Sequence, residues 1–143
     1  MALVYFDSSA LVKLVVDEDG SDIADQLWNG CDAAFTSRLA YPEVSAALAA
    51  ALRNRSLTKE GSLQAMVLWE DFWSALRPVE LTDELARTAG ESAGQHNLRG
   101  ADAVHLASAL ALRTDDVVFA VWDRRLSEGA VAAGLAVAPA CVG

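Results

Sequence analysis

Short apolar runs that alternate with helical stretches predict an α/β protein, a three-layer α/β/α sandwich around a short, mainly parallel central sheet. Two observations carry the fold class. The candidate strands, such as Ala2–Phe6 and Val117–Trp122, are continuous apolar runs, the pattern of strands covered on both faces. Most lead into a stretch with helical character, as βαβ units require. A third observation bears on domain count: 143 residues, 53% hydrophobic and without a Pro/Gly/Ser-rich linker or internal repeat, are enough for one sizeable core. Residues 1–143 are therefore expected to form a single domain.

The elements follow in order. A strand at 2–6 ends at Asp7, which is a natural N-cap for a helix at about 8–16. The acidic run Asp17-Glu-Asp19 before Gly20 reads as a solvated turn, and a second helix covers 21–29. A strand at 33–36 leads into an alanine-rich helix at 38–54, and Thr58 caps the next helix, 59–76. Within it Met66, Trp69, Trp73 and Leu76 recur at helical spacing, widened by Leu68 and Phe72. Much of this stripe is expected in the core, and it also suits a partner or oligomer interface, where Trp and Met are enriched. A strand near 78–81 precedes a helix at 83–96, and a loop carrying Asn97 and Gly100 leads to a helix at 101–112. The chain closes with a strand at 117–122, a helix at 124–133 and a last strand at 135–138.

Composition excludes several classes. No apolar run approaches the roughly 20 residues that cross a bilayer, and the first residues lack the basic region and cleavage site of a signal peptide. Cys31 and Cys141 lie far apart without metal-ligand spacing, which suggests two incidental thiols in a reduced, cytoplasmic protein. The net charge of −9 argues against an extended nucleic-acid surface. It is unevenly spread: residues 7–32 hold seven acids against Lys13 alone, whereas 38–60 hold Arg38, Arg53, Arg55 and Lys59 against Glu43 and Glu60. A local basic track therefore remains compatible with the global acidity.

Four carboxylates stand where they would serve stability poorly. Asp7 and Asp123 close apolar strands, Glu43 interrupts Leu39–Leu52, and Asp102 opens the apolar stretch Ala101–Leu112. A charge beside a core segment is costly unless paired or bound to a metal, and a chain with 11 Lys+Arg offers few partners. Clustered carboxylates are what hard, oxygen-seeking divalent cations require. Ligands of open parallel sheets bind outside the C-terminal strand ends. Asp7 and Asp123 fall at that rim, as does Glu43 on the first turns of its helix. Asp102 lies at a helix start, which favours anions. Asp115 and Asp116 precede a strand and belong to the opposite rim.

Each acid also has a plainer reading: Asp7 and Asp123 as caps, Asp102 as a first-turn residue, Glu43 as a solvated helix residue. Ser9 can bond the Asp7 carboxylate or cap the helix. His105, three residues after Asp102 on one helix face, can touch the site or be a core histidine satisfied by a backbone carbonyl. Arg99 can meet a phosphate or pair with an acid, and Arg124 and Arg125 can face a phosphate backbone or solvent.

Together the segments Tyr5-Phe-Asp-Ser-Ser-Ala-Leu-Val-Lys-Leu14, Ser37-Arg-Leu-Ala-Tyr-Pro-Glu-Val-Ser45, Leu98-Arg-Gly-Ala-Asp-Ala-Val-His-Leu-Ala107 and Trp122-Asp-Arg-Arg-Leu126 resemble the PIN-domain family. More narrowly they resemble the VapC-type ribonuclease toxins of bacterial toxin–antitoxin pairs. The resemblance covers essentially the whole chain and places the family's acidic quartet on Asp7, Glu43, Asp102 and Asp123, with its hydroxyl position at Ser9. The chain departs at Val121, where many relatives carry Thr or Ser, so no hydroxyl contact is expected at that corner. The resemblance implies a PIN-like fold and an endoribonuclease that depends on Mg²⁺ or Mn²⁺, one or two ions per site. It further implies an RNA substrate, a homodimer and silencing by a small antitoxin protein. The ions would activate water for attack on the phosphodiester. Two other classes compete. A catalytically silent PIN-like binding module would not need an intact quartet. A phosphoaspartyl enzyme of the haloacid-dehalogenase type needs a second acid where Ser9 stands.

Overall fold

The computed structural model describes residues 1–140. In chain order these form β1 (Leu3–Phe6), α1 (Ser8–Val15), α2 (Ser21–Gly30), β2 (Ala33–Ser37), α3 (Ala40–Arg53), α4 (Lys59–Ala75) and β3 (Arg77–Val79). They continue with α5 (Asp83–His96), α6 (Gly100–Leu110), β4 (Val117–Ala120), α7 (Arg124–Ala132) and β5 (Ala136–Ala138). The strands form one sheet in the order β3-β2-β1-β4-β5, and every neighbouring pair is parallel.

Alternation along β1 divides the core. Val4 and Phe6 point into a cluster built with α1 to α4, including Leu11, Leu14, Val44, Leu48 and Trp69. Tyr5 points the other way, into a cluster with Leu85, Leu98, Leu106, Phe119 and Leu126 from the side of α5 to α7. The sheet is thus covered on both faces, giving the three layers expected from its unbroken apolar strands. Each large side chain fully withdrawn from water in these layers contributes about 1.5–3 kcal/mol.

β1 lies at the centre, with Leu3 opposite Ala33 of β2 on one side and Val117 of β4 on the other. The chain builds the sheet outward in one direction through β2 and β3 and in the other through β4 and β5. The crevice above the C-terminal ends of β1 and β4 is therefore a topological switch point, where open α/β sheets bind ligands.

The structure refines several expectations. β3 occupies 77–79 instead of 78–81, and is an edge strand, which lets Pro78 sit in it without breaking a ladder. Gly100 begins α6 and does not belong to the loop. Asn97 makes the turn, adopting φ 53 at the end of α5, the left-handed cap that Asn tolerates. Thr58 caps α4 as expected, its hydroxyl accepting from the Gly61 N–H at 3.0 Å. The apolar stripe of α4 is less buried than its periodicity suggests. Trp69 and Leu76 are in the core, while Met66 is 53% exposed and Leu68 is also exposed. With Leu52, Leu63 and Val67 at its rim, Met66 borders an apolar groove of about 580 Å³ between α3 and α4. Part of the apolar face of α4 is left uncovered, so helical spacing alone overstates its burial. Among the described residues no helix is long and apolar enough to cross a membrane. Cys31 is a free thiol, and Cys141 lies outside the described residues.

A candidate acidic active site at the strand ends

Asp7 follows β1 directly, its N–H bonded to the Ala120 carbonyl of β4 at 3.3 Å. The carboxylate is therefore fixed between the two strands that flank the switch point. Oδ1 accepts from the Ala10 N–H at 2.9 Å and so caps α1. Ser9 Oγ donates to the same carboxylate, 2.9 and 3.0 Å from its two oxygens. Asp7 is only 4% exposed, and among the described residues it has no ion-pair partner. Burial pushes its pKa up to about 6, with Asp102 adding to the rise, against the lowering effects of His105, the Ala10 N–H and Ser9. Cap and site residue are not alternatives here: the cap aims the carboxylate.

Asp102 lies in the first turn of α6, and Asp123 caps α7 by accepting from the Leu126 N–H at 2.9 Å. Arg99 connects them, its Nε 3.4 Å from Asp102 Oδ2 and its Nη2 4.0 Å from Asp123 Oδ2. The guanidinium is 78% exposed, so these contacts are weak and exchangeable. Arg99, Arg124 and Arg125 line an open groove of about 600 Å³ with Asp102, Asp123 and Glu128. Arg124 pairs with Glu128 at 3.0 Å.

Glu43, in the first turn of α3, is reached from two other helices. Ser8 Oγ donates to its Oε1 at 2.5 Å, and His105 Nε2 lies 2.7 Å from the same oxygen. Burial alone would raise this carboxyl, but the bonds from His105 and Ser8 outweigh it and hold the pKa below the ordinary value. His105 is 2% exposed. Its Nδ1 meets the Tyr5 hydroxyl at 2.9 Å, so it is a core histidine satisfied by side chains instead of a backbone carbonyl. Ser8 and Tyr5 are site neighbours that sequence reasoning missed. Tyr5 carried a signal: a tyrosine in a strand buried on both faces must find a partner for its hydroxyl.

Basic partners are few, as the 11 Lys+Arg suggest: Glu43 meets His105, Asp102 and Asp123 share Arg99, and Asp7 makes no ion pair among the described residues. Among the described residues no three His, Cys, Asp or Glu side chains form a ready-made metal cage. The donor set nevertheless suits a hard divalent cation. All four candidates are carboxylates, and the most buried one has a second carboxylate nearby and no ion pair among the described residues, the arrangement that oxygen-seeking cations stabilise. Val121 is buried in the core as an apolar side chain, and Asp115 and Asp116 precede β4 on the opposite rim.

The sequence model of the PIN domain matches residues 4–130. Ribonuclease VapC45 of Mycobacterium tuberculosis is 63% identical over 140 residues, covering 98% of this chain and 97% of the relative. Two solved structures share the fold. M. tuberculosis VapC20, a sarcin–ricin loop cleaving toxin, superposes with a TM-score of 0.68 at 20% identity, over 92% of this chain and 95% of its own. VapBC2 from Rickettsia felis, bound to a DNA fragment from its promoter, gives 0.63 at 13% identity, over 94% and 96%.

Proposed function

Since the chain belongs to the PIN-domain family and is a VapC-type ribonuclease by its kinship, we propose that its acidic site hydrolyses RNA phosphodiester bonds with Mg²⁺ or Mn²⁺. It acts as the toxin of a toxin–antitoxin pair. One observation carries the site assignment: Asp7 is a buried carboxylate with no ion pair among the described residues, close enough to Asp102 to feel its charge, at the switch point of the sheet.

Asp7, Glu43, Asp102 and Asp123 would hold one or two divalent ions. Such an ion, when bound, supplies the charge that activates water and offsets the negative charge of the phosphate. The remaining work falls to the protein. Ser9 and the Ala10 N–H keep Asp7 aimed into the crevice, and Ser8 with His105 fixes Glu43. Arg99 stands between Asp102 and Asp123 on an exposed stem. It can exchange its carboxylates for a substrate phosphate, whose oxygens the planar guanidinium fork is suited to bind. Arg125, which among the described residues makes no ion pair, and Arg124 extend the same groove toward the RNA backbone.

The toxin role implies a protein antitoxin that masks the site, supported by the likeness to the VapBC2 assembly. We further propose that the toxin is a homodimer. The deciding experiment measures RNA cleavage by wild type, Asp7→Asn and Asp102→Asn with Mg²⁺ and with EDTA. Wild type should cleave only with the metal, and both variants should be inactive while folded. Wild-type rates in either variant would remove that residue from the site.

A further inference from the structure

We infer that His105 is a positioning residue for Glu43 and that buried Tyr5 sets its orientation, an assignment resting on Glu43 belonging to the metal site. The hydrogen bonds run through four elements. Tyr5 of β1 bonds His105 Nδ1 at 2.9 Å, and His105 of α6 bonds Glu43 Oε1 of α3 at 2.7 Å. Ser8 of α1 bonds that oxygen at 2.5 Å and lies 3.0 Å from His105 Nε2. A hydroxyl has one proton to give. Ser8 gives it to Glu43, so toward His105 Nε2 it can only accept. Nε2 therefore carries a proton and donates to both neighbours. The Tyr5 hydroxyl meets the other ring nitrogen, Nδ1, at 2.9 Å and so fixes the imidazole from its opposite edge. The imidazole is thus held at both ring nitrogens.

The geometry is selective. Both donors converge on Oε1, while among the described residues Oε2 accepts no hydrogen bond. One oxygen is clamped and the other is left for a ligand. A histidine and a tyrosine as buried as these are expensive core choices unless fully bonded. Apolar residues of similar size would fill the same space. Partners of this kind orient the groups that bind a metal and typically govern affinity.

The test titrates Mn²⁺ into the full chain by calorimetry and measures kcat and KM for RNA, in wild type, Tyr5→Phe, His105→Leu and His105→Gln. Tyr5→Phe and His105→Leu should each weaken Mn²⁺ binding by about tenfold or more and lower kcat, with KM unchanged. His105→Gln, whose amide can donate to Oε1, should recover most of the loss. In a Glu43→Gln background Tyr5→Phe should cost nothing further, because its effect passes through Glu43. If His105→Leu fails to fold, Tyr5→Phe decides, since it removes one hydroxyl and keeps the ring. Wild-type affinity and kcat in Tyr5→Phe, or an undiminished loss in the Glu43→Gln background, would overturn the inference alone. A wild-type protein that neither binds Mn²⁺ nor cleaves RNA would overturn the acidic-site reading together with it.

Discussion

Asp7 joins two duties, capping α1 and facing the crevice, and the consequences of removing its charge can be separated from those of removing the cap. Asparagine caps a helix as well as aspartate does. Asp7→Asn should therefore keep the Ala10 bond, abolish cleavage, and raise the melting temperature of the metal-free protein by relieving a buried charge beside Asp102. The pH dependence follows in sign. The folded-state pKa is raised from 3.8 to about 6, so the proton is held more tightly in the folded protein. The stability this group contributes is fully present below pH 3.8 and is lost as pH rises through 6, a change of about 3 kcal/mol. Denaturation of the metal-free wild type between pH 4 and 7 should show this fall, and Asp7→Asn should flatten it. Metal binding must expel the same proton, so Mn²⁺ affinity should drop below pH 6. The four acids were legible in the sequence because each breaks an apolar pattern. Ser8 was not, since a serine at the start of a helix is unremarkable until the fold brings Glu43 to it.

At the scale of elements, strand ends and helix starts were legible where chemistry marks them. Thr58 and Asp7 cap helices that the sequence had placed, and unbroken apolar runs gave the parallel strands. β3 was harder to place, because a three-residue edge strand carries too little pattern to fix its ends. α4 shows the limit of periodicity, which tells that a face is apolar but not whether a neighbour covers it: Met66 and Leu68 share the stripe of Trp69 and yet are exposed. The register of α3 on the sheet, which decides that Glu43 meets His105, depends on packing between residues 62 positions apart and is absent from any local signal. The cap of α4 can be tested directly. Thr58→Ala removes the 3.0 Å bond to the Gly61 N–H and should lower stability by about 1 kcal/mol in urea denaturation, with RNA cleavage unchanged because Thr58 does not line the acidic groove.

Across the whole molecule, a net charge of −9 leaves RNA attraction to the bound cations and a few arginines, several of them already facing acids. Each phosphate neutralised on a single strand adds only about −0.7 to the log–log salt slope, so a slope no steeper than about −3 is expected. Binding measured with Ca²⁺ in place of Mg²⁺ should show it, and Arg99→Ala or Arg124→Ala should make the slope shallower by about one contact. A slope of −6 or steeper would mean an extended basic track instead. The claim on which the rest depends is that the carboxylates at the switch point form a divalent-cation site. The most direct measurement is the thermal melt of wild type and Asp7→Asn at neutral pH, with EDTA and with Mn²⁺ at about 100 times its dissociation constant. Linkage gives wild type about 2.7 kcal/mol at that excess, a rise on the order of 10 °C that EDTA reverses. Asp7→Asn should melt higher than wild type in EDTA and respond weakly to Mn²⁺. An unmoved wild-type melt, or an equal shift in Asp7→Asn, would contradict the account.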